Sequence, residues 1–450
     1  MAKKLVVLTH RDNIFSFLLE REEVIKIRVD KKGASKLVGS IFKGKVKRLA
    51  KGMGGVFVDI GLEREAYLPL KGEEVKVGQS LLVQVVREGI GEKGAKLTNK
   101  IKIPGKYIVY MPENQEVKCS SKLSKEEKCD MLNFIADHLS SEGVILRTSS
   151  ARAKKEEILE ELERLRGIYR QLRSKLDSLK KPQVLWEEQP EYLSLIRSYW
   201  YDMEAIFCND IEIWHKIMGF LEEFERSLMK RVFYIKQTHD AFLLKNALRK
   251  ISQRCVWLRG GGYIVIDETE AMTVIDVNSG DPCGDTQEEN ALKTNLEAAE
   301  EIARQIVLRD LGGIIMIDFI DMKSQENKDK VIKALKEALG DDLCNVQIYG
   351  FTKLGVLEMV RKKAGKSVPD LLFEECPLCG GLGKVKGNAL YFFELSLEIQ
   401  NYPAGFLEIF VPKGRKRAVE EFIGAKGLDN VKVVEKEDLD YNNYEVRYER

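Results

Sequence analysis

Two apolar runs in the last third of the chain end in the same way. Thr273-Val-Ile-Asp276-Val-Asn278 and Ile314-Ile-Met-Ile-Asp318-Phe-Ile-Asp321 each run through aliphatic residues up to a carboxylate. Short runs of this kind, bounded by glycine and turn residues, are strands buried in a sheet. The surrounding pattern is regular. Gly260-Gly-Gly precedes a strand Tyr263-Ile-Val-Ile, and Asp267-Glu-Thr-Glu joins it to the Thr273 run as a hairpin. A helix spans about Gln287 to Arg309, Gly312-Gly313 feeds the second carboxylate strand, and residues 324–340 form another helix. The order β, β, α, β, α restricts this region to a layered α/β core. If the two carboxylate strands are neighbours, Asp276 and Asp318 project from one edge, where two such charges repel unless a cation lies between them. Oxygen ligands with water completing the shell suit Mg²⁺ or Mn²⁺ better than zinc. Such an ion polarises a phosphodiester and lowers the pKa of a bound water. The plainer alternative is that each aspartate caps a turn or a helix.

Upstream the texture differs. Between Gly39 and Lys100, five short β runs separated by glycine describe a small barrel. It holds 12 Lys/Arg against 7 Asp/Glu, a local +5, with Phe57 and Tyr67 among the basic residues. Charge interleaved with aromatic surfaces is how such barrels hold single-stranded nucleic acid, although Phe57, between Val56 and Val58, equally fits a barrel core. Residues 5–38 alternate as strands broken at Asp30-Lys31-Lys32-Gly33. Residues 101–150 form mixed short elements ending in Gly143-Val-Ile-Leu. Arg147 and Thr148 follow directly, a guanidinium fork and a hydroxyl that suit a phosphate or else lie in an exposed loop. From Ala151 to Lys180, Ile158, Leu162, Leu165, Tyr169, Leu172 and Leu176 recur at three and four, an amphipathic helix whose charges face solvent. Residues 190–252 read as helix, strand and helix, with the strand at Phe233-Tyr-Ile-Lys.

Composition excludes several classes. A chain of 450 residues predicts about three domains, and 44% hydrophobic residues with ten prolines exclude a disordered or fibrous chain. A net charge of +2 confines any polyanion-binding surface to a local patch. Leu5 to Leu8 is too short for a signal peptide core, and no run is long enough to span a membrane. The eight cysteines are scattered except for Cys376-Pro-Leu-Cys379, so no disulfide framework is expected and a reducing, cytoplasmic compartment fits. That pair has the spacing of two thiolates facing one metal ion, two ligands short of a structural zinc site, with a dithiol redox pair as the alternative.

Taken in order, Ile275-Asp276-Val-Asn278-Ser-Gly, Thr294-Asn-Leu-Glu-Ala-Ala, Leu311-Gly-Gly-Ile-Ile-Met-Ile-Asp318-Phe-Ile-Asp-Met322 and Cys376-Pro-Leu-Cys379 resemble the catalytic half of the bacterial ribonuclease E/G family. Phe57-Val-Asp-Ile-Gly, Leu68-Pro-Leu, Lys93-Gly-Ala and Gly105-Lys-Tyr-Ile-Val109 extend the likeness upstream, so it covers the chain to about residue 400. The resemblance implies a Mg²⁺-dependent endoribonuclease of single-stranded RNA that leaves a 5′-phosphate and a 3′-hydroxyl and serves rRNA and tRNA processing and mRNA decay. It implies that Asp276 and Asp318 hold Mg²⁺ (or Mn²⁺) and that Asn278 orients a carboxylate or the attacking water. Phe57, Tyr67 and Lys93 match the RNA contacts of an S1 barrel at 39–100. Gly105, Val109, Arg147 and Thr148 match a 5′-monophosphate sensor at 101–189. The implied fold is multidomain α+β and α/β: an RNase H-like domain from 1–38 and 190–252, interrupted by barrel and sensor, then a DNase I-like core at 253–372. A zinc link at 373–384 and a small domain at 385–450 follow. Cys376 and Cys379 would share one zinc with a second chain, making a homodimer, with a homotetramer formed through the small domain. The long scaffold tail found in part of the family is not expected here, which places the architecture closest to the ribonuclease G branch. A non-catalytic RNA-binding assembly factor of the same fold is the alternative from another class, and a phosphatase or DNA nuclease a third.

Overall fold

The computed structural model describes residues 2–449 except 51, 71, 73, 90–92, 121–122, 281–285, 363–364, 375, 380, 382 and 403–404. It divides between Leu371 and Leu372 into two units. In the first, strands Lys3–His10, Asn13–Glu20 and Glu23–Lys31 form an antiparallel meander. Met203–Cys208 lies parallel to the first of these, and Val232–Tyr234 lies beside it, completing a five-stranded mixed sheet. Leu5, Val7, Leu18 and Ile206 are buried in it against Ile213, Ile217 and Leu221 of the helix Ile211–Phe224. The sequence reading placed no strand at Met203-Glu-Ala-Ile-Phe-Cys208. Its first-strand partners are some two hundred residues away: Thr9 donates its N–H to Asn209 Oδ1 at 2.7 Å, and Asn209 Nδ2 returns a bond to the Thr9 carbonyl.

Asp30, on the outer strand of this sheet, accepts the N–H of Glu191 at 2.9 Å and so holds the first turn of the helix Glu191–Tyr199. Burial, with the Glu191 carboxylate adding repulsion, pushes its carboxyl up to about 6. The folded protein therefore keeps this proton between about pH 4 and pH 6 while the unfolded chain has released it, so stability falls as pH rises through that window. Asp30→Asn keeps an acceptor and removes the ionisation. It is expected to be flat across the window and more stable at pH 7 by up to about 3 kcal/mol, and thermal unfolding at pH 4–7 checks this. An unchanged slope in the variant would show that another group is responsible.

Strands Lys36–Ala50, Gly55–Asp59, Ala66–Pro69, Ser80–Arg87 and Lys96–Thr98 close a five-stranded barrel. Gly44 in the longest strand is obligatory, because a Cβ there would stand 2.5 Å from Val58 Cγ1 in the barrel core. The strand Gln183–Glu188 pairs along the outside of Lys36–Ala50, with Val184 opposite Phe42. The segment expected to run as sensor to residue 189 thus ends in the barrel's sheet, and the barrel's first strand begins at Lys36, ahead of Gly39. Strands Ile103–Pro104, Ile108–Met111, Val117–Cys119 and Gly143–Leu146 form a separate four-stranded sheet. It packs on Lys125–Ala136 and on the amphipathic helix Lys155–Ser178 through Ile135, Ile158, Leu162 and Leu165. The buried Lys43 of the barrel donates to the carbonyls of Leu176 and Leu179, satisfying the end of that helix with a cation where the dipole favours one.

A six-stranded sheet follows, in the order Cys255–Trp257, Tyr263–Glu268, Met272–Asn278, Gly313–Asp318, Leu357–Arg361, Val346–Phe351. Helices Gln287–Arg309 and Gln325–Leu339 cover one face through Ala298, Ile302, Ile306, Val331 and Leu335. In the second unit, Phe406–Pro412 runs between Val431–Lys436 (parallel) and Glu445–Glu449 (antiparallel). Helices Asn388–Ile399 and Lys416–Ala425 bury Tyr391, Leu395, Val419 and Ile423 against this sheet. Among the described residues no helix is long and apolar enough to cross a membrane.

Candidate active site and nucleic-acid interface

Alternation along Met272–Asn278 buries Thr273, Ile275 and Val277 on the helix side and turns Val274, Asp276 and Asn278 to the open face. The same alternation in Gly313–Asp318 turns Asp318 to that face. The two strands are adjacent and parallel, and their register sets Asp276 directly opposite Asp318. Strand spacing then separates the two backbones by about 4.8 Å. Asn278 Nδ2 donates to Asp276 Oδ2 at 2.8 Å, fixing the orientation of that carboxylate. Burial raises the Asp318 carboxyl above its ordinary value, and the nearby charges of Asp276 and Asp321 raise it further.

The loop after Asp318 is held from behind by the long helix. Asn295, fully buried, donates to the Ile320 carbonyl at 2.8 Å and accepts the Ile320 N–H at 3.0 Å. Glu288 accepts the N–H groups of Lys323 and Ser324. Two carboxylates set opposite each other in register and exposed on the open face of the sheet suit a divalent cation. Among the described residues no group of three or more His, Cys, Asp or Glu side chains is gathered for a metal. A cation held by the two carboxylates would take further ligands from oxygen donors such as water.

In the barrel, Val56, Val58, Ala66 and Leu68 fill the core, while Phe57 and Tyr67 are register partners on the outer surface, with ring centroids 5.9 Å apart. Phe57 is therefore not a core aromatic. Arg48 stacks its guanidinium 3.9 Å from the Phe57 ring centre, and Tyr67 Oη donates to the Met53 carbonyl at 2.5 Å. Lys93 is exposed in the loop before Lys96–Thr98, next to Gly94, which packs so tightly on the Glu65 carbonyl that it admits no side chain.

The four residues expected to form a sensor, Gly105, Val109, Arg147 and Thr148, lie in or beside the four-stranded sheet. Arg147, far from lying in an exposed loop, donates from Nη1 to the Gly105 carbonyl at 2.8 Å and from Nη2 to Ser198 Oγ at 3.0 Å. Burial, and then the nearby Arg197, push its pKa down to about 10, still charged at neutral pH. Thr148 Oγ1 lies 2.9 Å from Ser120 Oγ, and Val109 pairs between Ile145 and Pro104. Glu161 is the residue the sequence hid: it sits in a helix whose charges read as solvated, yet its buried carboxylate accepts the N–H groups of Lys106, Tyr107 and Ile108. It holds rigid the loop that carries Gly105. Lys106 pairs with Glu225 at 2.5 Å and lies 4.1 Å from the Trp200 ring centre, tying that loop to the N-terminal sheet domain.

Cys376 and Cys379 stand on one turn. The Cys379 N–H bonds the Cys376 carbonyl, and the Gly383 N–H points at Cys379 Sγ from 3.3 Å. Backbone N–H groups of Leu378 and Cys379 hold the Cys376 thiol below its usual value, favouring the thiolate that a metal requires.

A profile of the Ribonuclease E/G family matches residues 102–364, a span that contains Arg147, Asp276 and Asp318. The chain belongs to the Ribonuclease E/G family. It is 33% identical over 411 residues to Ribonuclease G of Haemophilus influenzae, covering 85% of this chain and 84% of that protein. Ribonuclease G of Escherichia coli is 32% identical over 407 residues, with 83% and 82% covered. Ribonuclease E of Haemophilus influenzae is 31% identical over 415 residues, which is 86% of this chain but 44% of that longer protein.

Proposed function

We propose that this protein is a Mg²⁺-dependent endoribonuclease of single-stranded RNA, stimulated by a 5′-monophosphate and acting in bacterial RNA maturation and message decay. As a member of its family it is an endoribonuclease; the observation that carries the finer reading is the register match of Asp276 with Asp318 on an exposed sheet face. Those two carboxylates would hold the ion, which when bound supplies a Lewis acid and a water of lowered pKa. Asn278 fixes the orientation of the Asp276 carboxylate. Phe57 and Tyr67, with Arg48 beside them and Lys93 in a loop of the same barrel, stack and neutralise a single strand, and Arg147 with Thr148 receives the terminal phosphate in the cradle built by Gly105 and Glu161. The N-terminal sheet reads as RNase H-like and the carboxylate domain as DNase I-like. Cys376 and Cys379 supply half of a zinc site completed by a second chain, which makes one zinc per two chains the expected metal content, and the small domain is the surface for tetramer formation.

The test is cleavage of a short A/U-rich RNA, labelled at its 3′ end and carrying either a 5′-monophosphate or a 5′-hydroxyl, with Mg²⁺ or with EDTA. Internal cutting that needs the ion and favours the monophosphate supports the reading. Tight binding with no cutting under any condition would instead indicate an RNA-binding assembly factor. Arg147→Gln is expected to lower kcat/KM on the monophosphorylated RNA about tenfold, the loss of a charge-assisted contact, with little change on the hydroxyl form. An equal loss on both would remove Arg147 from that role.

A further inference from the structure

The carboxylate pair does not stand alone on the open face of its sheet. Register runs across the strands from Asn278 to Tyr263 and on to Trp257, so the three side chains form one row on the carboxylate side. Trp257 is on the edge strand and is 70% exposed. Its ring centre lies 5.2 Å from that of Tyr263 at 56°, a tilted pair in which Tyr263 supports the indole from the side and leaves a broad face uncovered. Two strand spacings put Trp257 about 10 Å from Asn278, close enough that a strand with a phosphate at the carboxylates brings one of its next bases to the ring. Arg259 is exposed in the turn that follows, a positive charge two residues from the ring.

The ledge is built rigidly. The Leu258 N–H bonds the Gly262 carbonyl at 2.7 Å, and the Gly260 N–H is held by both oxygens of Glu297 from the long helix. Gly280, just past the carboxylate strand, packs on Gly261 so closely that a Cβ would meet its backbone at 2.4 Å. The turn beside Trp257 and the end of the strand bearing Asp276 and Asn278 therefore form one fixed body. An exposed tryptophan in a mobile loop would carry no such positional meaning.

We propose that Trp257, supported by Tyr263, is a base-stacking subsite of the cleavage centre, taking an unpaired nucleobase of the RNA a fixed distance from the scissile phosphate. The proposal rests on the endoribonuclease reading and deepens it. Stacking needs no hydrogen-bond code, so the subsite accepts any base and rejects a missing one. It holds the strand equally in ground state and transition state, so its loss is felt in KM more than in kcat.

The experiment is an abasic scan. A 12-nucleotide RNA with one cleavage site is prepared with a single abasic residue at each flanking position. Cleavage and equilibrium binding, the latter by fluorescence anisotropy in EDTA, are measured for wild type, Trp257→Ala and Trp257→Phe. The expected result is one position at which the abasic residue raises the wild-type KM and the dissociation constant about tenfold. Trp257→Ala should raise both by a similar factor on intact RNA and be insensitive to the abasic residue at that position alone, while Trp257→Phe recovers most of the loss. If Trp257→Ala keeps the wild-type abasic profile at every position, the subsite is wrong and the endoribonuclease reading stands. If wild type cuts nothing, that reading fails, and the binding profile still decides whether a base stacks on Trp257. A change in oligomer size for Trp257→Ala with an unaltered profile would assign the ring to contact with a second copy and overturn the proposal.

Discussion

Asp318→Asn is expected to slow RNA cleavage by about a thousandfold or more while RNA affinity stays within about threefold. The size follows from what is removed. With Asp318 neutral, Asp276 faces no second carboxylate across the strand pair, and a cation bound by two charges loses one of them. A loss of about 4 kcal/mol in stabilising the reacting phosphate is three powers of ten in rate. Affinity is expected to be spared because, in the proposed reading, the barrel aromatics and the Arg147 cradle supply contacts to the RNA that Asp318 does not make. Asp276→Asn should behave alike. Asp321→Asn should cost less than tenfold, since Asp321 contributes charge near Asp318 without sharing its register position. Single-turnover cleavage with anisotropy binding on the same preparations checks all three; full activity in purified Asp318→Asn would remove the metal site.

The second large effect is on stability. Arg361 is 6% exposed at its side chain and Asp342 is 5% exposed, and the two are directly hydrogen-bonded. Arg361 also donates to Asp310 at 2.8 Å and to the Leu311 carbonyl at 2.7 Å, and Asp310 receives Arg28 of the N-terminal sheet at 3.0 Å. Burial would push Asp342 up, but Arg361 holds its carboxyl below the ordinary value. Arg361→Met leaves Asp342 buried without its partner and should destabilise the carboxylate domain by about 3–5 kcal/mol. Arg361→Lys keeps the charge but not the fork and should fall between. Because Arg361 pairs with Gly313, at the far end of the strand from Asp318, the kcat of still-folded protein should change little. Differential scanning calorimetry resolves the affected transition. A loss below about 1 kcal/mol would mean that water enters and satisfies Asp342.

What the sequence disclosed follows from how locally each feature is encoded. The two carboxylate strands were legible because an apolar run ending in Asp is a local pattern, and Gly312-Gly313 marked where the second starts. The helix between them was legible to the residue at both ends, Gln287 and Arg309, because its period is long and Asp310 stops it in a left-handed conformation. The strand Met203–Cys208 was not, since what makes it a strand is the seat between Lys3–His10 and Val232–Tyr234. Glu161 read as a solvated charge of an amphipathic helix, and Asn295 was visible only as part of a motif; the packing reveals one gripping three backbone N–H groups and the other gripping Ile320. Trp257 left no trace either, because an exposed aromatic breaks no periodicity.

The N-terminal meander has a consequence for synthesis. Its first strand has Asn13–Glu20 on one side and Met203–Cys208 on the other, and Thr9 is 200 residues from Asn209. At about 5–20 residues per second the ribosome delivers that second neighbour some 10–40 s after the first strand emerges. Until then one edge of the growing polypeptide shows a row of unsatisfied N–H and C=O groups flanked by Leu5, Val6 and Val7, a template for any other nascent strand. The barrel and the four-stranded sheet after it can close within that interval from contacts inside their own segments, so the domain that begins the chain is completed only after both.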